Sequence, residues 1–209
     1  MSPRSLLRNP YLWGFLIGIV TLTAIRPLLR HVPEPPPILF ALPEYSLTDQ
    51  EGKPFGSAEL RGTTYIVSFF FTSCRSICPA VMHGMGRLQD GYAQRKIEGI
   101  RLVSISVDPE HDTPDVLRDY AERLKVDPAR WTLLTGDPAK VRAIVVDGFK
   151  TPMDAIPESG ATPMDIAHTG KLALVDGKGN VRGFYGTDDM GLDEAFNRAQ
   201  HVAREARGG

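Results

Sequence analysis

Cys74 and Cys78 are the residues of this sequence whose types and spacing are best suited to chemistry. They are the only two cysteines among 209 residues, and they follow a run of aromatic and β-branched residues that is typical of a buried strand. A helix that begins between them would bring both sulfurs to one face, because residues four apart are neighbours on a helix. Two thiols held in this way could close a disulfide or bind one metal ion.

The predicted helix N-terminus makes these cysteines more reactive than ordinary core residues. The positive end of a helix favours thiolate over thiol, and Pro79 fits a first turn, where its missing N–H costs nothing. The alternative is a pair of inert, buried cysteines, since free cysteine packs like a small apolar residue. Because both cysteines of the chain fall in one strand-to-helix turn, a functional pair is favoured.

A third candidate ligand is His168, which comes just before a predicted strand at the end of a long loop. A lone histidine in such a place is more commonly a hydrogen-bonded loop residue, so spacing alone does not assign it to a metal. The same loop carries Met153 and Met164 in the repeated segments TPMDAI and TPMDIA. Thioethers can hold Cu(I), but packing of the loop onto the core is the favoured role for both methionines.

The elements that must position these residues alternate between strands and helices. Buried strands are predicted at residues 64–71, 100–108 and 131–136, and hairpins at 44–56 and 171–186. Helices are predicted after the cysteines and at 112–126, 137–149 and 193–207, with Thr113 as an N-cap and Pro114 at the first helical position. This order predicts an α/β sandwich around a central mixed β-sheet.

The overall composition is that of a globular protein, and its charge argues against nucleic-acid binding. The chain is 42% hydrophobic, and its 24 basic and 25 acidic residues give a net charge of −1. A nucleic-acid-binding protein would carry a basic excess on one face, which this balance does not suggest.

The N-terminal segment predicts a membrane anchor. Residues 9–25 carry no charge, and with flanking arginines able to snorkel this run approaches the length that crosses a bilayer of about 30 Å. A cleaved signal peptide is the alternative, but no small-x-small cleavage site follows the run. We therefore expect an anchor at 1–30 with its span at about 9–29, a Pro-rich linker at 31–41, and a domain at 42–209.

Three ordered motifs together resemble the Sco/SenC family of copper chaperones. The residues that carry the resemblance are Cys74, Cys78 and Pro79; Asp108, Pro109, Asp112, Thr113 and Pro114; and His168, Asp176 and Gly179. The resemblance covers roughly residues 42 to 205. Arg75 and His111 depart from the residues that are common at these positions in the family, and neither is among the implied ligands.

The resemblance implies a thioredoxin-like α/β sandwich, preceded by a single N-terminal transmembrane helix. It implies that Cys74, Cys78 and His168 bind one copper ion, and that Asp108 supports the ligands from just outside them. The alternative for Asp108 is a capped turn, since Asp-Pro is common in turns. Two thiolates and an imidazole select Cu(I) and also suit Cu(II). Zinc is the chemical alternative, but three protein ligands would leave an open zinc site with no evident base.

The implied function is delivery of copper to the binuclear copper centre of cytochrome c oxidase during its assembly. The expected partners are the copper-accepting oxidase subunit, an upstream copper donor and a thiol reductant. The expected location is the bacterial inner membrane, with the domain in the periplasm, where cysteine pairs can be oxidised. The alternative function is a thiol–disulfide oxidoreductase that uses Cys74 and Cys78 on a partner's cysteines.

Overall fold

The structure is a computed structural model that describes residues 10–25, 35–150 and 170–208. The chain forms two compact units, one up to Glu34 and the other from Pro35 onward. The first unit contains helix α1, Pro10–Ile25. None of the helices in the described ranges combines the length and the apolar character needed to cross a membrane. Residues 1–9 and 26–34, which belong to the predicted anchor and linker, lie outside the described residues.

The second unit is built on a mixed sheet that has eight strands within the described ranges. The strands are β1 Phe40–Ala41, β2 Ser46–Asp49, β3 Pro54–Gly56, β4 Thr64–Phe70, β5 Ile100–Ser106, β6 Trp131–Thr135, β7 Leu172–Val175 and β8 Asn180–Tyr185. Their order across the sheet is β1-β8-β7-β4-β5-β6-β2-β3. β4, β5 and β6 are parallel and the remaining pairs are antiparallel, which confirms the predicted mixed sheet.

Four further helical segments pack on this sheet, namely α2 Cys78–Gln94, α3 Pro114–Leu124, α4 Pro138–Arg142 and α5 Asp189–Gly208. Thr113 caps α3 by accepting from the Val116 N–H, as predicted. Two elements differ from the predictions. α5 begins before the predicted residue 193, and α4 continues as a π-helix, Ala143–Gly148, because periodicity alone does not distinguish these helix types.

The core lies between β4 and α2, the two elements that flank the cysteines. Every residue of β4 is buried, as a central strand covered on both faces requires. The apolar residues that recur at helical spacing along α2 are all buried, namely Val81, Met82, Met85, Leu88 and Tyr92. Tyr92 also stacks on Phe196 of α5 with ring centroids 4.5 Å apart. The cysteines therefore lie between two firmly packed elements.

The segment predicted as the end of the linker is part of the sheet. Phe40 pairs with Val181 of β8, and the compact unit begins at Pro35, before the predicted start at residue 42. A strand of two residues has no periodicity from which it could be predicted.

A buried arginine holds this incoming segment. The Arg182 guanidinium donates to the Pro36 carbonyl at 2.7 Å, to Asp176 at 3.2 Å and to Glu205 at 2.7 Å. We refer to Pro36, Asp176, Arg182 and Glu205 as the base cluster. Burial raises the pKa of Asp176, but hydrogen bonds from Asn180, the Lys178 N–H and Arg182 outweigh it and hold that pKa below its usual value.

The base cluster and the cysteines lie at opposite ends of β4. Val175 of β7 pairs with Tyr65 near the start of β4, so Asp176 lies at that end of the sheet. The cysteines follow Phe70, the last residue of the same strand. At about 3.3 Å per residue, β4 separates the two ends by about 20 Å.

Candidate metal centre

The two cysteines lie at the junction between the central strand and the helix that follows it. Cys74 is in the connecting loop, where its N–H donates to the Phe71 carbonyl at 3.2 Å. Cys78 is the first residue of α2, and Ile77 precedes it as the N-cap residue. Pro79 lies in the first helical turn, as predicted, where a missing N–H leaves no bond unmade.

The two thiols are in contact and are not bridged by a disulfide. The Cys78 N–H donates to the Cys74 sulfur at 3.5 Å, and the thiols hydrogen-bond to each other. The Ser76 hydroxyl lies 3.6 Å from the Cys74 sulfur. Cys74 is 8% exposed and Cys78 only 1%. One face of the junction thus presents two sulfurs, one at the rim and one beneath it.

The surroundings drive the pKa values of the two thiols apart. Burial raises the pKa of Cys74, but hydrogen bonds from the Cys78 thiol, the Cys78 N–H and Ser76 outweigh it and lower that pKa to about 7. Burial and donation of its own proton to Cys74 raise the pKa of Cys78 to about 12. Cys74 is therefore partly thiolate at neutral pH, whereas Cys78 keeps its proton until something displaces it.

A buried carboxylate, Asp112, ties the cysteine loop to the neighbouring strand. It is 1% exposed and accepts from the Thr72 N–H at 3.0 Å, from the Thr72 hydroxyl and from the Ser106 hydroxyl at 2.5 Å. Its negative charge also contributes to the raised pKa of Cys78. Asp112 belongs to one of the motifs that carry the family resemblance, but sequence alone assigns it no role, because burial of a turn carboxylate leaves no periodic signal.

Asp108 lies in the same turn, and its side chain is 12% exposed. Its carboxylate accepts from Nδ1 of His111 at 2.8 Å, and the His111 side chain is 76% exposed. This hydrogen bond raises the pKa of His111. The Asp108 N–H donates to the Ser106 hydroxyl at 3.1 Å, so the backbone of Asp108 joins the network around Asp112. The predicted support of the ligands by Asp108 stays a prediction.

His168, Met153 and Met164 lie outside the described residues. The chain is described again from Gly170, and there it packs beside the cysteine junction. A Cβ added at Gly170 would lie 2.8 Å from Cδ1 of Ile77, the residue before Cys78. Within the described residues, no group of three or more His, Cys, Asp or Glu side chains could hold a metal ion.

A mixed sheet whose central strand leads through a cysteine loop into a helix defines a thioredoxin-like protein. The family model SCO1/SenC matches residues 40–204, and the chain belongs to that family. Both the predicted fold of the domain and the predicted family are thereby confirmed. The ligand set implied by the resemblance stays a prediction.

Individual proteins of known sequence or structure are also similar to this chain. A putative copper-binding protein from Stutzerimonas stutzeri is 32% identical over 147 residues, which cover 68% of each chain. A SCO1/SenC family lipoprotein from Bacillus anthracis str. Ames matches with a TM-score of 0.68 and 28% identity, over 78% of this chain and 95% of the lipoprotein. Copper-bound ScoI from Bradyrhizobium japonicum shares the fold, with a TM-score of 0.60 and 23% identity over 78% of this chain and 99% of ScoI.

Proposed function

We propose that this protein is a copper chaperone that binds one copper ion through Cys74, Cys78 and His168. It delivers that ion to the binuclear copper centre of cytochrome c oxidase during assembly of the oxidase. The observation that carries the proposal is the pair of unbridged thiols in contact at the start of α2. Membership of the SCO1/SenC family supports this destination.

The donor set fits copper. Thiolates and imidazole are ligands that select Cu(I), and a relative that is 32% identical is described as a putative copper-binding protein. Cys74, with its pKa lowered to about 7, supplies a thiolate near neutral pH, whereas the Cys78 proton must leave when the ion is bound. Copper binding therefore releases protons and becomes tighter as pH rises.

His168 is close in sequence to a residue that lies beside this pair. It is two positions before Gly170 in the chain, and an extended chain spans at most about 3.6 Å per residue, so the two Cα atoms can be at most about 7 Å apart. Gly170 contacts Ile77, the neighbour of Cys78. This proximity supports His168 as the third ligand, although the histidine itself is outside the described residues.

The rim of the site supports transfer of the ion to another protein. Arg75 and Ser76, which lie between the cysteines, are exposed, whereas Cys78 is buried beneath them. A ligand from an acceptor can therefore approach from the side of Cys74 and displace the protein's ligands in turn. Asp108 supports this arrangement through its N–H bond to Ser106, which holds the turn beside the cysteine loop.

We also propose that the domain is tethered to the bacterial inner membrane and lies in the periplasm. The uncharged run at residues 9–25 supports an anchor within residues 1–30. In an oxidising compartment the cysteine pair would need a thiol reductant before it could accept copper. The partners are then that reductant, an upstream copper donor and the copper-accepting subunit of the oxidase.

An anaerobic Cu(I) titration of the full chain against a chromophoric chelator tests this function. We expect one Cu(I) per chain, and severe loss of affinity in Cys74→Ser, Cys78→Ser and His168→Ala, because each leaves a two-ligand site. His83→Ala is the matched control, since His83 is an exposed histidine on α2. Parent-like affinity in His168→Ala would remove that histidine from the site.

The separation of the two thiol pKa values favours one further candidate, a thiol–disulfide oxidoreductase. A nucleophilic cysteine with a lowered pKa beside a protonated one is the arrangement that such enzymes use. Dithiol exchange does not require an imidazole ligand. His168→Ala should therefore keep the rate of disulfide reduction if this is the function, while losing copper affinity if the protein is a chaperone.

A further inference from the structure

We infer that Asp112 is a positioning residue of the cysteine site, whose carboxylate fixes the loop that carries Cys74 and so determines how tightly the thiol pair holds copper. The copper part of this inference rests on the proposed function. The part that concerns the thiol pair does not, because the hydrogen bonds of Asp112 constrain the loop whatever the thiols bind.

The geometry joins three elements at one carboxylate. Thr72 belongs to the loop that follows β4, Ser106 is the last residue of β5, and Asp112 lies just before α3. One carboxylate oxygen accepts from the Thr72 N–H and the Ser106 hydroxyl, and the other accepts from the Thr72 hydroxyl. The loop is thus held to β5 and to the start of α3 at a point two residues before Cys74.

Capping of the adjacent helix does not account for this arrangement. The N-cap of α3 is Thr113, whose own hydroxyl accepts from Val116. Both oxygens of Asp112 instead face residues of other elements. Burying a carboxylate is costly unless it is fully hydrogen-bonded, and here three donors converge on it from the two strand ends that frame the cysteine loop.

The hydrogen bonds between Asp112 and Thr72 constrain the Cys74 sulfur through a short piece of backbone. The Cys74 N–H donates to the carbonyl of Phe71, so residues 71–74 form one turn that Thr72 anchors. Release of Thr72 would let this turn move and would change the position of the Cys74 sulfur relative to Cys78. Residues that orient metal ligands in this way typically contribute about 10- to 100-fold to metal affinity.

The sharpest test compares two substitutions of Thr72 in the full chain. Thr72→Val keeps the size of the side chain and the N–H bond but removes the hydroxyl that donates to Asp112, whereas Thr72→Ser keeps the hydroxyl. We expect Thr72→Val to weaken Cu(I) binding about tenfold in chelator competition and Thr72→Ser to match the parent. Asp112→Asn places a donating amide among three donors and should weaken binding about 10- to 100-fold.

A matched control separates positioning from general loss of stability. Asp137 accepts from the N–H groups of Ala139 and Lys140 at the start of α4, away from the cysteine loop. Asp137→Asn should leave Cu(I) affinity unchanged, and thermal unfolding of all variants shows how much each is destabilised. If Thr72→Val and Asp112→Asn bind Cu(I) within twofold of the parent, Asp112 does not position the site.

A second measurement keeps the inference testable if the proposed function fails. The structure shows these hydrogen bonds with the two cysteines unbridged. We infer that they stabilise the dithiol arrangement, so that losing one should favour the disulfide form. We expect Thr72→Val, but not Thr72→Ser, to shift the dithiol–disulfide equilibrium at least threefold toward disulfide in a glutathione redox buffer. If the parent binds no copper at the thiols but Thr72→Val still shows this shift, the chaperone function is rejected and the positioning role of Asp112 is supported. An unshifted equilibrium would reject the positioning role.

Discussion

The two ends of strand β4 are each organised by a buried aspartate, but the groups that satisfy those aspartates differ in charge. At the start of the strand, Asp176 pairs with the buried Arg182 guanidinium at 3.2 Å. At the end of the strand, Asp112 accepts from Thr72 and Ser106, and the donors that the structure shows for it are all neutral. One end is an ion-pair network, and the other keeps its negative charge beside two thiols.

This difference indicates that the start of β4 stabilises the fold, whereas the end of β4 is suited to the chemistry of the thiols. In the base cluster, Arg182 neutralises the Asp176 carboxylate and holds the incoming chain by donating to the Pro36 carbonyl. The ion pair therefore stabilises the fold at this end. At the cysteine end, burial and proton donation to Cys74 raise the pKa of Cys78 and the Asp112 charge adds to this, so a thiolate there is disfavoured in the absence of a cation. A bound copper ion would place positive charge directly beside the two sulfurs.

The largest effect that we predict from this comparison is on stability, at the base cluster. Arg182→Met leaves Asp176 buried without its cation, and removing one partner of a buried ion pair typically costs about 3–5 kcal/mol. Chemical denaturation should show this loss of unfolding free energy, while Cu(I) affinity of the folded protein stays parental because the cluster lies at the far end of β4. A stable variant with weakened copper binding would contradict the separation of the two ends.

A smaller but sharper difference is expected between the two thiols. Alkylation requires thiolate, so Cys74, with its pKa lowered to about 7, should react increasingly as pH rises from 6 to 8 and then level off. Cys78, with its pKa raised to about 12, should react at least about a hundredfold more slowly at pH 7. Peptide mass mapping after timed iodoacetamide treatment measures both rates.

Replacing Cys78, whose thiol donates to Cys74, provides the control for this difference in alkylation rate. Cys78→Ala removes the thiol that donates to Cys74, so the pKa of Cys74 should move upward and its alkylation at pH 7 should slow. Equal alkylation rates for the two cysteines of the parent would mean that their surroundings do not distinguish them.

The smallest effect concerns the glycine beside the junction. Gly170 has a φ of +51°, and an added Cβ would also press on Cδ1 of Ile77 at 2.8 Å. Gly52 has a similar positive φ of +77°, but nothing lies within 4 Å of an added Cβ there. Both Gly→Ala substitutions should therefore cost about 1 kcal/mol of stability in thermal unfolding.

Only one of these two variants should affect the metal site. Gly170→Ala displaces Ile77, the neighbour of Cys78, and should weaken Cu(I) binding severalfold, whereas Gly52→Ala should leave it unchanged. Equal copper affinities would show that the contact between Gly170 and Ile77 does not help to shape the site.

Much of the frame around the cysteines could be predicted because its signals are periodic. β4 is apolar apart from Thr64 and Ser68, and the buried face of α2 recurs at helical spacing from Val81 to Tyr92. Thr113 and Pro114 marked the start of α3 through local capping chemistry. Strand β1 was not predicted, since its two residues are fixed by pairing with β8 rather than by any local preference.

The interior of the site was harder to predict than its frame. The cysteine pair was evident from residue type and spacing, but the opposite pKa shifts of Cys74 and Cys78 depend on which N–H and O–H groups point at each sulfur. The role inferred for Asp112 depends on contacts with Thr72 and Ser106, which lie 40 and 6 residues away in sequence. Contacts of this kind arise from the packing of β4 against β5 and have no sequence period.

The most direct test of the central claim is copper uptake by the oxidised and the reduced forms of the apo chain. The claim is that Cys74 and Cys78 bind the ion as thiolates, and a disulfide sulfur is a poor ligand. After oxidation and confirmed loss of both free thiols, Cu(I) offered without reductant should not be taken up. After reduction and removal of the reductant, uptake should reach one ion per chain. Full uptake by the oxidised chain would place the copper site elsewhere and contradict the assignment of both cysteines.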